Sequence, residues 1–263
     1  MDVERVAVNK QRIFLLLEKN INSKLSWFLM RLFGESLPFS EKVQLAVAFA
    51  IRISIVLAII SGILNGKWLI VFISSLTLFL TFVPAMVQKN LRFNLPLEME
   101  LTVVIFIYAG IFLGEVHDFY IRFWWWDTLL HTIAGVVLGF AGFMFLYILY
   151  RQNRLKADPS IIAFFAFCFA LSMGLLWEIF EFLVDSIFGA DMQKSRGLEG
   201  DTRLGLMDTM WDLIADSIGA LFSSVSGYIY LKYDGKGFFF DRLIKSFVNK
   251  NPHLFKEKTK GKK

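Results

Sequence analysis

The sequence predicts an all-α, polytopic membrane protein: six transmembrane helices in one bundle, with amphipathic helices at the interface at both ends of the chain. Three observations carry this. Of the 263 residues, 56% are hydrophobic and 19% charged, and mean hydropathy is +0.55, outside the range of ordinary soluble domains. The apolar residues, 29 phenylalanines among them, gather in runs of about 20, the length that crosses a bilayer core as a helix. The loops between the runs alternate between basic and poorly charged, the asymmetry that orients membrane proteins.

Residues 1–40 form the first region. Their apolar clusters at 13–17, 27–30 and 32–33 are interleaved with Lys10, Arg12, Lys19, Lys24 and Arg31. Clusters that short cannot span, so the segment reads as basic amphipathic helix lying on the membrane. It lacks the small-residue cleavage site of a signal peptide. A transmembrane domain follows over 43–231, with spans at 43–64, 68–87, 97–113, 127–150, 160–188 and 204–231. The region 232–263 is a basic tail in which 237–249 can form a short interfacial helix. The single Cys168 rules out an internal disulfide.

Charge then sets the topology. Lys89 and Arg92, then Arg151, Arg154 and Lys156, occupy loops on the same side as Lys232, Lys236, Arg242, Lys245 and Lys250 of the tail. The positive-inside rule makes that side cytoplasmic. Both termini are therefore expected inside, in the inner membrane. Lys194, Arg196 and Arg203 in the loop after the fifth span weaken the asymmetry. Trp68, Tyr120, Trp124, Trp125 and Trp126 read as an aromatic belt on the outer side. The expected partners are membrane lipids, with anionic headgroups for the basic termini. Nucleic acid is not expected, and nothing in the sequence sets an oligomeric state.

Carboxylates inside the spans are the main functional signal. Asp208, Asp212 and Asp216 stand four apart in the sixth span, so one helical face carries all three. Glu178, Glu181 and Asp185 share a face of the fifth span at i, i+3 and i+7. The fourth span opens on Asp127 and His131, and Gly135 and Gly139 continue that face inward. Asp127-Thr-Leu-Leu-His131-Thr-Ile-Ala-Gly135 and Asp208-Thr-Met-Trp-Asp212-Leu-Ile-Ala-Asp216 echo one another and run the same way. Both place an Asp-Thr where an N-cap belongs. The antiparallel fifth span brings Glu178, about 10 Å deeper than Asp185, to the level of Asp212 and Asp216. Three helices thus converge acids and one histidine at one depth in the outer half.

Eight ionisable groups with one imidazole cannot all stay charged at low dielectric. Protons, Arg52, Arg122 or Arg203, or metal ions must offset the charge. Helical bundles that turn Glu, Asp and His inward hold metals, and an oxygen-rich set with one imidazole suits Zn, Mn, Mg or Fe. The metal candidates are Asp127, His131, Glu178, Glu181, Asp185, Asp208, Asp212 and Asp216. In a hydrolase acting on a lipid or lipid-linked substrate, Asp212, Glu178 and His131 would carry catalysis, with metal-activated water and a carboxylate base. Two alternatives stand beside this: a proton- or cation-coupled transporter, and a proton-sharing network that only fixes packing. The inner halves of the fourth and fifth spans are nearly all apolar, which suits a one-sided site better than a conduit. His117-Asp118, Glu98, Glu100 and His253 carry less weight. No Ser-His-Asp spacing, glycine-rich phosphate loop or Cys/His zinc spacing is present.

Trp126-Asp127-Thr-Leu-Leu-His131, Trp177-Glu178-Ile-Phe-Glu181-Phe and the Asp208–Asp216 motif together resemble the YjdF-like family of six-span inner-membrane proteins, over residues 43–231. The resemblance implies membership and a membrane location. It implies no reaction.

Overall fold

The computed structural model describes residues 38–91, 93–189, 191–193, 203–233 and 240–255. The amphipathic segment expected over 1–40 lies almost wholly outside these residues, as do Lys194, Arg196 and the Lys-rich terminus. All regular structure among the described residues is helical. Six helices are long and apolar enough to cross a membrane: Phe39–Leu64, Trp68–Asn90, Leu97–Val116, Trp126–Arg151, Pro159–Ile187 and Leu204–Lys232. The six-span membrane fold expected from hydropathy is the fold observed.

In chain order the helices are α1 (Phe39–Leu64), α2 (Trp68–Leu80), α3 (Val83–Leu91), α4 (Leu97–Ile107), α5 (Phe119–Arg122), α6 (Trp126–Arg151), α7 (Pro159–Phe188), α8 (Arg203–Lys232), α9 (Asp241–Lys250) and α10 (Pro252–Phe255). The second span is broken between α2 and α3, where Pro84 has no amide hydrogen to continue the ladder. Arg52 of α1 reaches this break. Its guanidinium donates to the Thr81 carbonyl at 3.0 Å and the Thr81 hydroxyl at 3.3 Å, and lies 4.7 Å over the Phe82 ring. The third span, expected to end near 113, runs on as π-helix over Tyr108–Val116, with the Tyr108 and Phe112 rings stacked at 5.0 Å. Ile51, Ile55, Val104 and Phe112 form the small core shared by α1, α4 and the π-helix.

The other three spans form a second, tighter group. α6 and α8 run parallel, shown by successive contacts of His131 with Asp212, Gly135 with Asp216 and Gly139 with Ser223. A Cβ at Gly135 would meet the Asp216 carbonyl oxygen, and one at Gly219 the Thr132 carbonyl oxygen. These glycines let two backbones touch, the packing that holds helices together in lipid, where apolar side chains gain little by leaving the tails. α7 runs antiparallel and turns a narrow stripe inward: Ala166, Ala170, then Glu178 and Glu181, all buried. Its other side exposes Phe164, Phe165, Leu176 and Phe180, which suits a lipid-facing surface.

The end of this group that carries the tail is closed by Phe140, Phe143, Met144, Tyr147, Ile162 and Tyr230, onto which Phe240, Ile244 and Phe247 pack. The interfacial helix expected at 237–249 appears as α9, and its apolar face rests on the bundle itself, with Arg242 and Lys245 turned out. Asn251 fastens it. Fully buried, its amide accepts from the Asn94 backbone at 2.6 Å and donates to the Asn94 and Phe247 carbonyls at 2.7 and 2.8 Å.

Candidate functional site

His131 sits one turn into α6, 8% exposed, at the end of the bundle away from the tail. Its Nε2 lies 3.8 Å from Asp127 Oδ1, 3.9 Å from Glu178 Oε1 and 3.8 Å from Asp212 Oδ2. Its Nδ1 lies 3.4 Å from Asp216 Oδ2. Three helices therefore supply one imidazole and four carboxylates to one buried point: Asp127 from α6, Glu178 from α7, Asp212 and Asp216 from α8. The register follows from the sequence. Asp127 is one turn from His131, Asp212 one turn from Asp216, and the close approach at Gly135 brings the two faces together. Gly174 completes the seat, since a Cβ there would strike the Asp216 carboxylate.

The distances discriminate between kinds of contact. An imidazolium N–H beside several carboxylates is drawn to about 2.8 Å from one of them. Here three carboxylate oxygens stand almost equidistant from Nε2, and all are too far for a hydrogen bond. A cation shared among these groups, a proton or a metal ion, would offset the repulsion between the carboxylates. Ligands held tetrahedrally at 2.0–2.1 Å from an ion such as zinc are about 3.4 Å apart, so the donor atoms would have to draw together to hold one. One donor atom each from Asp127, His131 and Asp212 lies within 4.8 Å of the others, a group able to hold a metal ion. Asp216 stands at the other ring nitrogen, across the imidazole from that group. Glu178, 3% exposed, lies beside the Thr209 hydroxyl of α8 and faces the same point.

The remaining sequence candidates have other partners. Glu181 is buried beside the cluster, and its Oε1 accepts from the Trp177 indole at 2.8 Å. Asp185 accepts from the backbone amides of Met192 and Gln193 at 2.7 and 2.9 Å, folding the chain after α7 back over the helix ends. The Gln193 amide then donates to the Thr209 hydroxyl on α8 at 2.8 Å. Asp208 lies half-buried one turn above Asp212, outside the three-ligand group. Arg52, weighed as a neutralising charge, serves the α2–α3 break instead. Arg122 pairs with Asp118 at 3.7 Å on the surface. The His117 ring packs edge-on against Phe112 at 5.0 Å, and Glu98 meets Arg242 at 3.4 Å.

Tyr120 is a residue whose place the sequence reading misjudged. Grouped with the aromatic belt, it turns inward instead. Its ring packs where a Cβ of Gly114 would stand, with the hydroxyl 3.7 Å from that of Gly110. Burial, then the charges of Glu115, Glu181 and Asp212, push its phenol well above the usual range, so it stays protonated as a donor beside the cluster. The i, i+4 glycine pair was the available signal. Trp124 and Trp68 are 89% and 68% exposed.

Comparison with known proteins places the chain without assigning a reaction. A family model described as a predicted membrane protein, DUF2238, matches residues 45–233. A relative from Thermotoga maritima, described as an uncharacterized protein, is 27% identical over 157 residues, which is 60% of this chain and 74% of the relative. No solved structure matches.

Proposed function

The chain belongs to the DUF2238 family of predicted membrane proteins, and on that footing we propose that it carries a divalent-metal centre in the half of the membrane away from its basic tail. One observation carries the reading: the near-equal spacing of three carboxylate oxygens about His131 Nε2. Asp127, His131 and Asp212 are the ligands, Asp216 holds the imidazole through Nδ1, and Glu178 stands beside them. Oxygen donors with one imidazole suit Zn, Mn, Mg or Fe. Such a centre supplies an activated water at neutral pH. Glu178 would take the proton from that water, and the Tyr120 phenol would donate at the mouth. The substrate class is a lipid or lipid-linked molecule reached from the outer leaflet of the inner membrane.

One feature supports an enzyme over a transporter, and the charge distribution gives the orientation. The tail-side half of the α6–α8 group is filled mainly by apolar and aromatic side chains, with the hydroxyls of Ser223, Ser224 and Ser226 its buried polar groups, where a conduit needs ionisable or polar groups continuing to the far face. The basic residues Arg151, Arg154, Lys156, Arg242, Lys245 and Lys250 gather at that closed end, which the positive-inside rule makes cytoplasmic.

The test uses metal-loaded protein in liposomes, assayed against phospholipid, lipid-phosphate and lipid-linked ester substrates. Turnover by the parent, reduced about 10²–10⁴-fold in Glu178→Gln with metal retained, is the expected result. Absence of turnover in the loaded parent, or full activity in Glu178→Gln, would overturn the enzyme reading. A thiol probe that labelled engineered cysteines through the bundle from both faces would favour transport.

A further inference from the structure

At the opposite end of the bundle a cleft of about 860 Å³ opens where α6 ends and α7 begins. Its walls are Tyr150, Arg151, Leu155, Lys156, Ile161 and Phe255, drawn from the α6–α7 turn and the tail. The construction is specific. The turn after α6 is set by Asn153 in the left-handed region, φ 55°, which Asn tolerates better than most residues. The tail is pinned alongside by the Gln152 side-chain amide, which donates to the Leu254 carbonyl at 2.7 Å. Phe255 is thereby held against Tyr147 and Phe247, ring centres 5.9 and 6.3 Å away. A cavity of this size is in the range of small-ligand sites.

The lining is amphipathic in the sense that matters at a membrane boundary. Arg151 closes the fourth span and Lys156 lies just before the fifth, so both cations stand at span ends. Neither forms an ion pair with a carboxylate among the described residues. Asp158 also lines the cleft, leaving a net positive charge. Ile161 and Phe255 supply an apolar wall on the bilayer side. Basic pockets between spans on the cytoplasmic side are the setting in which anionic headgroups bind. Arg adds a planar fork matched to phosphate oxygens.

We infer that this cleft binds the headgroup of one anionic phospholipid, with Arg151 and Lys156 on the phosphate and Ile161 and Phe255 against the glycerol and upper acyl chain. The site is separate from the His131 cluster, and its test does not depend on metal. Protein in neutral detergent is mixed with phosphatidylglycerol or phosphatidylcholine and examined by native mass spectrometry. The parent should retain about one phosphatidylglycerol per chain in preference to phosphatidylcholine. The double variant Arg151→Gln, Lys156→Gln should bind it about thirty-fold more weakly, at roughly 1 kcal/mol per basic residue. Lys250→Gln, outside the cleft, should bind as the parent does. Ile161→Trp fills the cleft with both cations kept, and should lose the lipid too; it decides the matter if the double variant does not fold. Equal retention of phosphatidylcholine, parent-like binding by either cleft variant, or full displacement of lipid by inorganic phosphate alone would overturn the inference.

Discussion

Gly135 is the point where the two helices that carry the cluster touch, and replacing it by alanine tests whether that contact builds the site. The new Cβ would meet the Asp216 carbonyl oxygen, the Ala220 nitrogen at 2.9 Å and the Asp216 carbonyl carbon at 3.0 Å. All are backbone atoms, so no rotamer change relieves them. Non-bonded contacts settle near 3.5 Å and the carbonyl oxygen is the closest of the three, so α6 and α8 must part by about an ångström. Overpacking of this kind costs about 1–3 kcal/mol, and more where backbone moves; we expect about 3 kcal/mol, or roughly 6–12 °C in Tm. Gly174→Ala provides the contrast. Its Cβ would strike the Asp216 carboxylate, a side chain that can swing away, so stability falls by only about 1 kcal/mol. The swing removes the partner of His131 Nδ1, and metal affinity should fall about 10–100-fold. Gly66→Ala is the control: φ is +66° and nothing lies within 4 Å, so it costs about 1–2 kcal/mol of backbone strain and leaves metal affinity alone. Thermal unfolding by circular dichroism in detergent, with metal competition against a chromogenic chelator, reads both quantities. A Gly135→Ala protein that melts with the parent, or a Gly66→Ala protein that loses metal as Gly174→Ala does, would refute the reasoning.

Three further substitutions separate the scaffold from the site. Arg52→Met removes the charge-assisted bond to the Thr81 carbonyl and the Phe82 contact; stability should fall by about 2 kcal/mol with metal content unchanged. Asn251→Ala strips three hydrogen bonds from a buried position and should cost about 2–3 kcal/mol, seen as faster tryptic cleavage at Lys245 and Lys250. Trp177→Phe deletes the indole donor to Glu181 and should cost about 1 kcal/mol. Its metal affinity should match the parent's, since Glu181 lies outside the three-ligand group; a large loss would bring Glu181 into it.

What could be read beforehand was whatever depends on local periodicity. Six apolar runs of bilayer length become six spans because length and apolarity settle that choice within each segment. The acids of α7 and α8 were visible as a face because four-residue spacing is a property of one helix. Which acids would meet His131 was less accessible, since that depends on how closely α6 and α8 approach. The glycines hinted at the approach, yet only coordinates give the register of Gly135 on Asp216. Asp185 looked equivalent to Glu178 in sequence. The difference is that the chain after α7 turns back and offers it two amides. The π-helix at Tyr108–Val116 and the inward turn of Tyr120 have the same origin. Both arise from packing between segments, and no periodicity within either one announces them.

The most direct measurement is elemental analysis of the detergent-purified protein beside Asp212→Asn and His131→Ala, each confirmed as folded by its helical circular dichroism. The account predicts close to one equivalent of Zn, Mn, Fe or Mg in the parent and its loss in both variants. A parent that stays metal-free after reloading with each of these ions, or variants that keep the parent's metal, would contradict the metal centre.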